Sequence, residues 1–68
     1  MAKYELSYEY KFDFAVFSGV RGKEILVFIA IDDMAAKIMS RLFVEQKNRQ
    51  KGEEYDFKIV RLVEIIIG

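Results

Sequence analysis

The sequence contains neither cysteine nor histidine among its 68 residues. Without cysteine, it can form no disulfide and no thiolate metal site. Histidine is the commonest transition-metal ligand and the usual general base near neutral pH, so both roles lose their usual residue. A domain of this size hides only about 60% of the surface that its unfolded chain exposes, and usually gains stability from disulfides, a metal or oligomerisation. Oligomerisation is the route that this composition leaves.

The sequence also lacks an excess of either charge, since 11 basic residues balance 11 acidic ones. A domain devoted to nucleic acid normally carries a basic excess. No uncharged run exceeds seven residues, as in Ile25–Ile31, whereas a membrane-spanning helix needs roughly 20. The first residues, Met1–Glu5, have no basic and apolar zones of a secretion signal. We therefore expect a cytoplasmic protein with no membrane partner.

Two strands are predicted in the first half of the chain. Apolar and polar residues alternate over residues 3–17, which indicates a long strand with one buried face. Gly19 and Gly22 supply the backbone freedom of a reversal, so residues 18–23 are predicted to form a hairpin tip. The nearly continuous apolar sequence over 24–31 then predicts a second strand with both faces covered.

A helix is predicted over residues 33–51. Asp32 or Asp33 can cap its start, and Gly52 is placed to end it. At 100° per residue, seven mostly apolar residues share one broad arc, which we expect to face the sheet: Met34, Ala35, Ile38, Met39, Leu42, Phe43 and Gln46. The low-bulk stripe of Ala36, Ser40 and Val44 is then expected on the outer face, either as an approach surface for another element or as ordinary solvated positions.

Residues 53–67 complete the pattern with a third strand, so residues 1–68 are predicted to form a single α+β domain of β-β-α-β order. The helix returns the chain to the end where the second strand began. The third strand therefore runs antiparallel to the first and can pair beside it. The expected fold is a three-stranded antiparallel sheet of order 2-1-3 with one helix packed on one face.

One copy of this fold is expected to leave apolar surface uncovered. The predicted helix spans about 28 Å, whereas a strand of about 14 residues spans about 46 Å. Neither outer strand contains proline, and Ile25–Ile31 resembles an aggregation-prone segment unless it is shielded. We predict a homodimer or an obligate protein partner, held through these residues: Tyr4, Leu6, Leu26, Phe28, Val60, Leu62, Ile65, Ile66 and Ile67.

The predicted topology also gathers basic residues at one pole, where the hairpin tip meets the end of the helix: Arg21, Lys23, Lys47, Arg49 and Lys51. Such a group can contact phosphates, and Asn48 and Gln50 can add hydrogen bonds. It can equally serve solubility and complement the helix dipole, partly neutralised by Glu53 and Glu54. Nucleic acid is therefore the alternative partner.

Other patterns favour structure over chemistry. Tyr4, Tyr8, Tyr10, Phe12 and Phe14 share one strand face, which predicts a core rather than a base-stacking platform, with only the end from Tyr4 to Tyr8 expected to stay exposed. The pair Asp32 and Asp33 lacks the companions of a metal site, and the serines have no histidine base. The sequence thus predicts no catalytic, cofactor or metal site.

The function predicted from these residues is a non-enzymatic protein-binding module. We expect a homodimeric regulator or inhibitor that acts through an exposed sheet face or edge. Small single-domain chains of this kind are frequent among inhibitors encoded by viruses and mobile elements, which is an analogy at the level of size and fold. The alternative is a nucleic-acid-binding dimer that uses the basic pole.

Overall fold

The computed structural model describes residues 1–13, 19–51 and 55–66 and confirms the predicted architecture. Strand β1 spans Ala2–Phe12 and strand β2 spans Val20–Ala30. Helix α1 covers Asp33–Lys51, as predicted, and strand β3 covers Tyr55–Ile65. The strands form one antiparallel sheet in the order β2-β1-β3, with the helix on one face.

The predicted hairpin tip over 18–23 is wrong from Val20 onward, because β2 already begins at Val20 and Arg21 pairs with Lys11. Of the two glycines in the predicted tip, Gly19 has the positive φ of a turn, 82°, and its N–H donates to Asp13 Oδ1 at 2.7 Å. Gly22 instead lies within β2, where a side chain would collide with the ring of Tyr10. The predicted continuation of β1 over 14–17 and the helix end at Gly52 lie outside the described residues.

The helix start is capped as predicted. The Asp32 Oδ1 atom accepts the N–H of Ala35 at 2.7 Å, and the Asp32 carbonyl accepts the N–H of Ala36 at 3.0 Å. The first bond satisfies an N–H group that has no partner inside the helix, and the second is the first bond of the helical ladder. The neighbouring Asp33 bonds the Tyr4 hydroxyl, which fixes the first turn of the helix over the start of β1.

The prediction of which helix face packs on the sheet is wrong. Ala36 and Ser40 are 0% and 1% exposed, and Val44 is also buried. In the arc that was expected to be covered, Met34 and Leu42 are 71% and 58% exposed. The stripe of small residues faces the sheet, and most of the larger apolar side chains point elsewhere.

The volume of the sheet's side chains explains this reversal. Tyr4, Leu6, Tyr8 and Phe57 are buried on the helix side of the sheet, and Tyr8 packs edge-on against Phe43 with ring centroids 5.3 Å apart. These large groups fill the space between sheet and helix. Because protein interiors are packed as densely as organic crystals, the helix positions directly above them have room only for small side chains, while Phe43 packs from the β2 side.

The carboxyl half of the helix is fastened to the β3 side of the sheet by Asn48. Its Nδ2 donates to the Phe57 carbonyl at 3.2 Å, and its Oδ1 accepts the Phe57 N–H at 2.8 Å. The helix consequently lies closer to β3 than to β2. The helix-side residues of β2 are left incompletely covered.

Ser40 provides a test of this packing. Its Oγ is buried and has no hydrogen-bond partner among the described residues, and a buried polar group without a partner is destabilising. We expect Ser40→Ala to increase the free energy of unfolding by about 1 kcal/mol. Ser40→Leu should lower it by about 1–3 kcal/mol because it overfills the layer. Urea unfolding followed by circular dichroism measures both, and a Ser40→Leu protein as stable as wild type would contradict the packing.

Candidate protein interface beside strand β2

An apolar groove runs between the helix and strand β2. Leu26 and Phe28 of β2 are half-buried and contribute one side, and the helix contributes the other. The groove has a volume of about 290 Å³ and is lined by Leu26, Phe28, Met39, Leu42, Phe43 and Gln46. None of these side chains is charged. We call this surface the β2-side groove.

Exposed apolar residues extend the β2-side groove over the top of the helix. Ile38 is 52% exposed and Leu42 is 58% exposed, and the two are one helical turn apart. Met39, which lines the groove, is also exposed. The helix therefore carries the apolar arc predicted from the sequence, but most residues of the arc are exposed and do not pack on the sheet.

The sheet face opposite the helix has a different character. The β1–β2 register places Ile25, Val27 and Ile29 on this face, opposite Ser7, Glu5 and Lys3 of β1. The three β2 residues are exposed, so the prediction that both faces of β2 are covered is wrong for a single copy. Across β1, Val63 and Ile65 of β3 are half-buried on the same face. Two apolar margins thus border a polar central strand.

Two residues of the predicted interface are buried by the protein's own helix. Tyr4 is 3% exposed and Leu6 is 0% exposed, so the expectation that they project beyond the helix is wrong. The short connection from Ala30 to Asp33 sets the helix down directly over the start of β1, where Tyr4 bonds Asp33. Tyr8 is also buried, which leaves no exposed aromatic platform between Tyr4 and Tyr8.

The other predicted interface residues have different surroundings. Leu26 and Phe28 line the β2-side groove. Val60 of β3 and Ile66, which follows β3, are exposed. Ile65 is half-buried on the open face, and Leu62 packs against the core. Ile67 lies outside the described residues.

The basic residues of the predicted pole do not form one surface. Arg21 and Lys23 pair with Lys11 and Glu9 on the sheet face opposite the helix. Lys47, on the helix side, lies over the rings of Phe43 and Phe57, with its Nζ 5.6 Å and 5.9 Å from their centroids. The pole is therefore divided by the sheet, because alternate side chains of a strand point to opposite faces.

The remaining members of that group add little to a common surface. Arg49 is exposed on the helix, and the side chain of Lys51 lies outside the described residues. Asn48, which was expected to add a hydrogen bond to a ligand, bonds the backbone of Phe57 instead. Gln50 is exposed.

Sequence reasoning missed Ile38 and Leu42 as surface residues. The signal was present in the two competing stripes of the helix, one of small residues and one of large apolar residues. A strand face as rich in tyrosine and phenylalanine as that of β1 calls for small partners across the layer. Comparing side-chain volumes, as well as hydropathy, favours the orientation that the structure has.

Two buried tyrosines hold the elements that carry the groove. The Tyr4 hydroxyl donates to Asp33 Oδ1 at 2.6 Å, and this bond, with burial, raises the pKa of Tyr4 to about 12. The Tyr8 hydroxyl donates to Glu24 of β2. Burial, followed by the bond to Glu24, raises the pKa of Tyr8 to about 12. Both bonds require the protonated phenol, because the carboxylate partner can only accept.

We expect stability to fall in alkaline solution for this reason. The pKa values of both phenols rise from 10.0 in the unfolded reference to about 12 in the fold. Their contribution is complete below pH 10 and is lost as the pH rises through about 12. Urea unfolding across this interval should show a smaller pH dependence for Tyr8→Phe than for wild type. Parallel pH profiles for the two proteins would contradict the assignment.

Among the described residues, no helix is long and apolar enough to cross a membrane, and no group of three or more acidic side chains is placed to hold a metal ion. No protein-family model, curated protein or solved structure matches the chain.

Proposed function

We propose that this protein is a non-enzymatic protein-binding module, a homodimeric regulator or inhibitor that receives its partner at the β2-side groove. One observation carries the proposal. Ile38 and Leu42 expose more than half of their surface beside an uncharged groove floored by Leu26 and Phe28. Single exposed apolar residues are common, but a connected set marks an interaction surface.

The energetics of a small domain support this interpretation. Complete burial of one Leu or Ile side chain is worth about 1.5–3 kcal/mol, whereas the stability of a whole protein is only about 5–15 kcal/mol. Leaving Ile38, Met39 and Leu42 in water forgoes a considerable part of the available stabilisation. A partner that covers them recovers it.

The shape of the groove favours the side chains of a protein over a small molecule. Its volume of about 290 Å³ lies at the lower limit of small-molecule pockets, which usually measure about 300–1,000 Å³. Such pockets also place a few polar groups to orient the ligand, and Gln46 is the one polar side chain in the lining. An apolar anchor from another protein matches this chemistry.

The proposed regulation requires only that the protein binds its partner, without any chemical step. A chain that binds through such a surface regulates or inhibits its partner by covering the partner's own contact site. The proposed location is the cytoplasm, as expected from the sequence. Nucleic acid is less well supported, because Arg21 and Lys23 lie on the sheet face opposite Lys47.

Replacement of Leu42 tests the proposal. We expect Leu42→Glu to lose protein partners captured from nuclease-treated cell extract, because a carboxylate would have to be buried in the contact. The fold should survive, since surface substitutions usually change stability by no more than about 0.5 kcal/mol. Capture with the tagged protein, quantified by mass spectrometry, gives the readout, and circular dichroism checks the fold.

Arg41→Glu is the matched control, because Arg41 is the exposed neighbour of Leu42 on the same helix. It should retain the partners that Leu42→Glu loses. Equal capture by wild type, Leu42→Glu and Arg41→Glu would overturn the proposed site. Loss of every wild-type partner after nuclease treatment would support the nucleic-acid alternative instead.

A further inference from the structure

We propose that a second copy of this chain pairs along the free edge of β2, antiparallel, with Val27 opposite the second copy's Val27. The result is a continuous six-stranded sheet. This inference rests on the proposed function and names the edge and register through which the homodimer forms. Four observations carry it: the difference between the two sheet edges, the direction of the β2 backbone, its charge pattern and its side-chain pattern.

The two edges of the sheet differ in how well they are protected against pairing. On β3, Asp56, Lys58, Arg61 and Glu64 are charged, and the pairing with β1 is interrupted by an irregularity opposite Ser7 and Tyr8. Asn48 also occupies the backbone groups of Phe57. Charges, bulges and covered backbone are the usual means of protecting an edge strand.

The β2 edge has few of these protections. Its register with β1 runs without a shift from Ala2 opposite Ala30 to Phe12 opposite Val20. The segment from Ile25 to Ile31 has no charged residue and no proline. A long, regular, apolar edge of this kind is a template for another strand.

The direction of the free backbone groups follows from the Asn48 contact. Because Phe57 bonds Asn48, its N–H and C=O point away from Tyr10, which lies opposite it on β1. Tyr10 therefore directs its own N–H and C=O to Gly22 on β2. Alternation along the antiparallel pair then leaves the N–H and C=O groups of Ile25, Val27 and Ile29 pointing to the free edge.

The charges at the two ends of β2 are opposite in sign. Arg21 and Lys23 lie at its start, and Asp32 and Asp33 follow its end. Antiparallel pairing about Val27 brings the basic start of each β2 strand towards the end of the other β2 strand, which Asp32 and Asp33 follow. The arrangement occurs twice by symmetry, so the strand is complementary to itself in this direction and repels itself in a parallel arrangement.

The apolar side chains also match about Val27. On the open face, Ile25 meets the second copy's Ile29, and the two Val27 side chains lie side by side. On the helix side, Leu26 lies beside the second copy's Phe28. Directly opposed β-branched and aromatic residues are the pairs that stabilise antiparallel strands, by roughly 0.2–1 kcal/mol each. The exposed surface of Ile25, Val27 and Ile29 thereby gains a neighbour.

In the dimer, the two β2-side grooves lie on either side of the junction between the two β2 strands. Leu42 lies on the helix beside this junction and takes no part in the strand pairing. The edge and the groove are thus separable, with Val27 serving the pairing and Leu42 the further partner. Variants at these two positions distinguish failure of the dimer from failure of the proposed function.

Sedimentation analysis of Val27→Lys tests the edge. Wild type should sediment at twice the 8.0 kDa mass of one chain. Val27→Lys should sediment at the mass of one chain, because position 27 lies opposite itself in the dimer and the two lysine ammonium groups would repel each other. Val60→Lys is the matched control: Val27 and Val60 are 50% and 53% exposed, but Val60 lies on β3. It should remain a dimer, and circular dichroism should find both variants folded.

Cysteine cross-linking tests the register, because the natural chain has no cysteine. Hydrogen-bonded antiparallel residues have Cα atoms about 5.5 Å apart, within the range of a disulfide. Mild oxidation should link Val27→Cys into a dimer at least about tenfold faster than Val60→Cys, a difference of about 1.4 kcal/mol in activation free energy. A mixture of Ile25→Cys and Ile29→Cys should cross-link faster than either protein alone.

Several results would overturn the inference. Wild type that sediments as a single chain up to its solubility limit would exclude self-pairing, while Leu42-dependent capture of a partner would leave the proposed function intact. Unchanged dimer mass in Val27→Lys would move the interface away from β2. Equal cross-linking of Val27→Cys and Val60→Cys would reject the register even in a protein that dimerises.

Discussion

Large side chains of the sheet fill the space between the sheet and the helix, and this constraint decides which helix residues are exposed at the surface. Tyr4, Leu6, Tyr8 and Phe57 are buried there. Dense packing leaves room only for small groups from the helix, so the stripe that includes Ala36 and Ser40 faces inward. The larger helix residues are displaced to the outside. A core requirement thus creates the apolar surface.

The lateral position of the helix decides where that surface lies. Asn48 makes two hydrogen bonds to the backbone of Phe57, which hold the helix on the β3 side. The same bonds cover part of the β3 edge, while the helix covers β2 only in part and the strand order leaves β2 at the other edge of the sheet. One side chain therefore contributes to closing one side of the molecule, while the groove and the unpaired strand remain together on the other.

The order of elements was readable from the sequence, because strand alternation, helix capping and the position of glycines are local signals. The helix bounds at Asp33 and Lys51 and the cap at Asp32 agree with the structure. The tip is the exception, because Gly22 has the local signature of a turn residue but accommodates the ring of Tyr10 within a strand. Only the neighbouring strand could distinguish these uses. The basic pole failed for a related reason, because β2 begins early enough to turn Arg21 and Lys23 to the open face.

The sequence by itself determined the element order, the 2-1-3 antiparallel sheet and the need for a small domain to cover apolar residues, since these follow from periodicity, connection geometry and chain length. Tertiary structure decided which apolar residues are covered. Hydropathy assigns Ile38 and Leu42 to a core as readily as Val44, because it measures affinity for water and not the volume available in a layer. The exposed residues follow from that volume and from the bonds of Asn48, both of which exist only once strands distant in sequence have packed together.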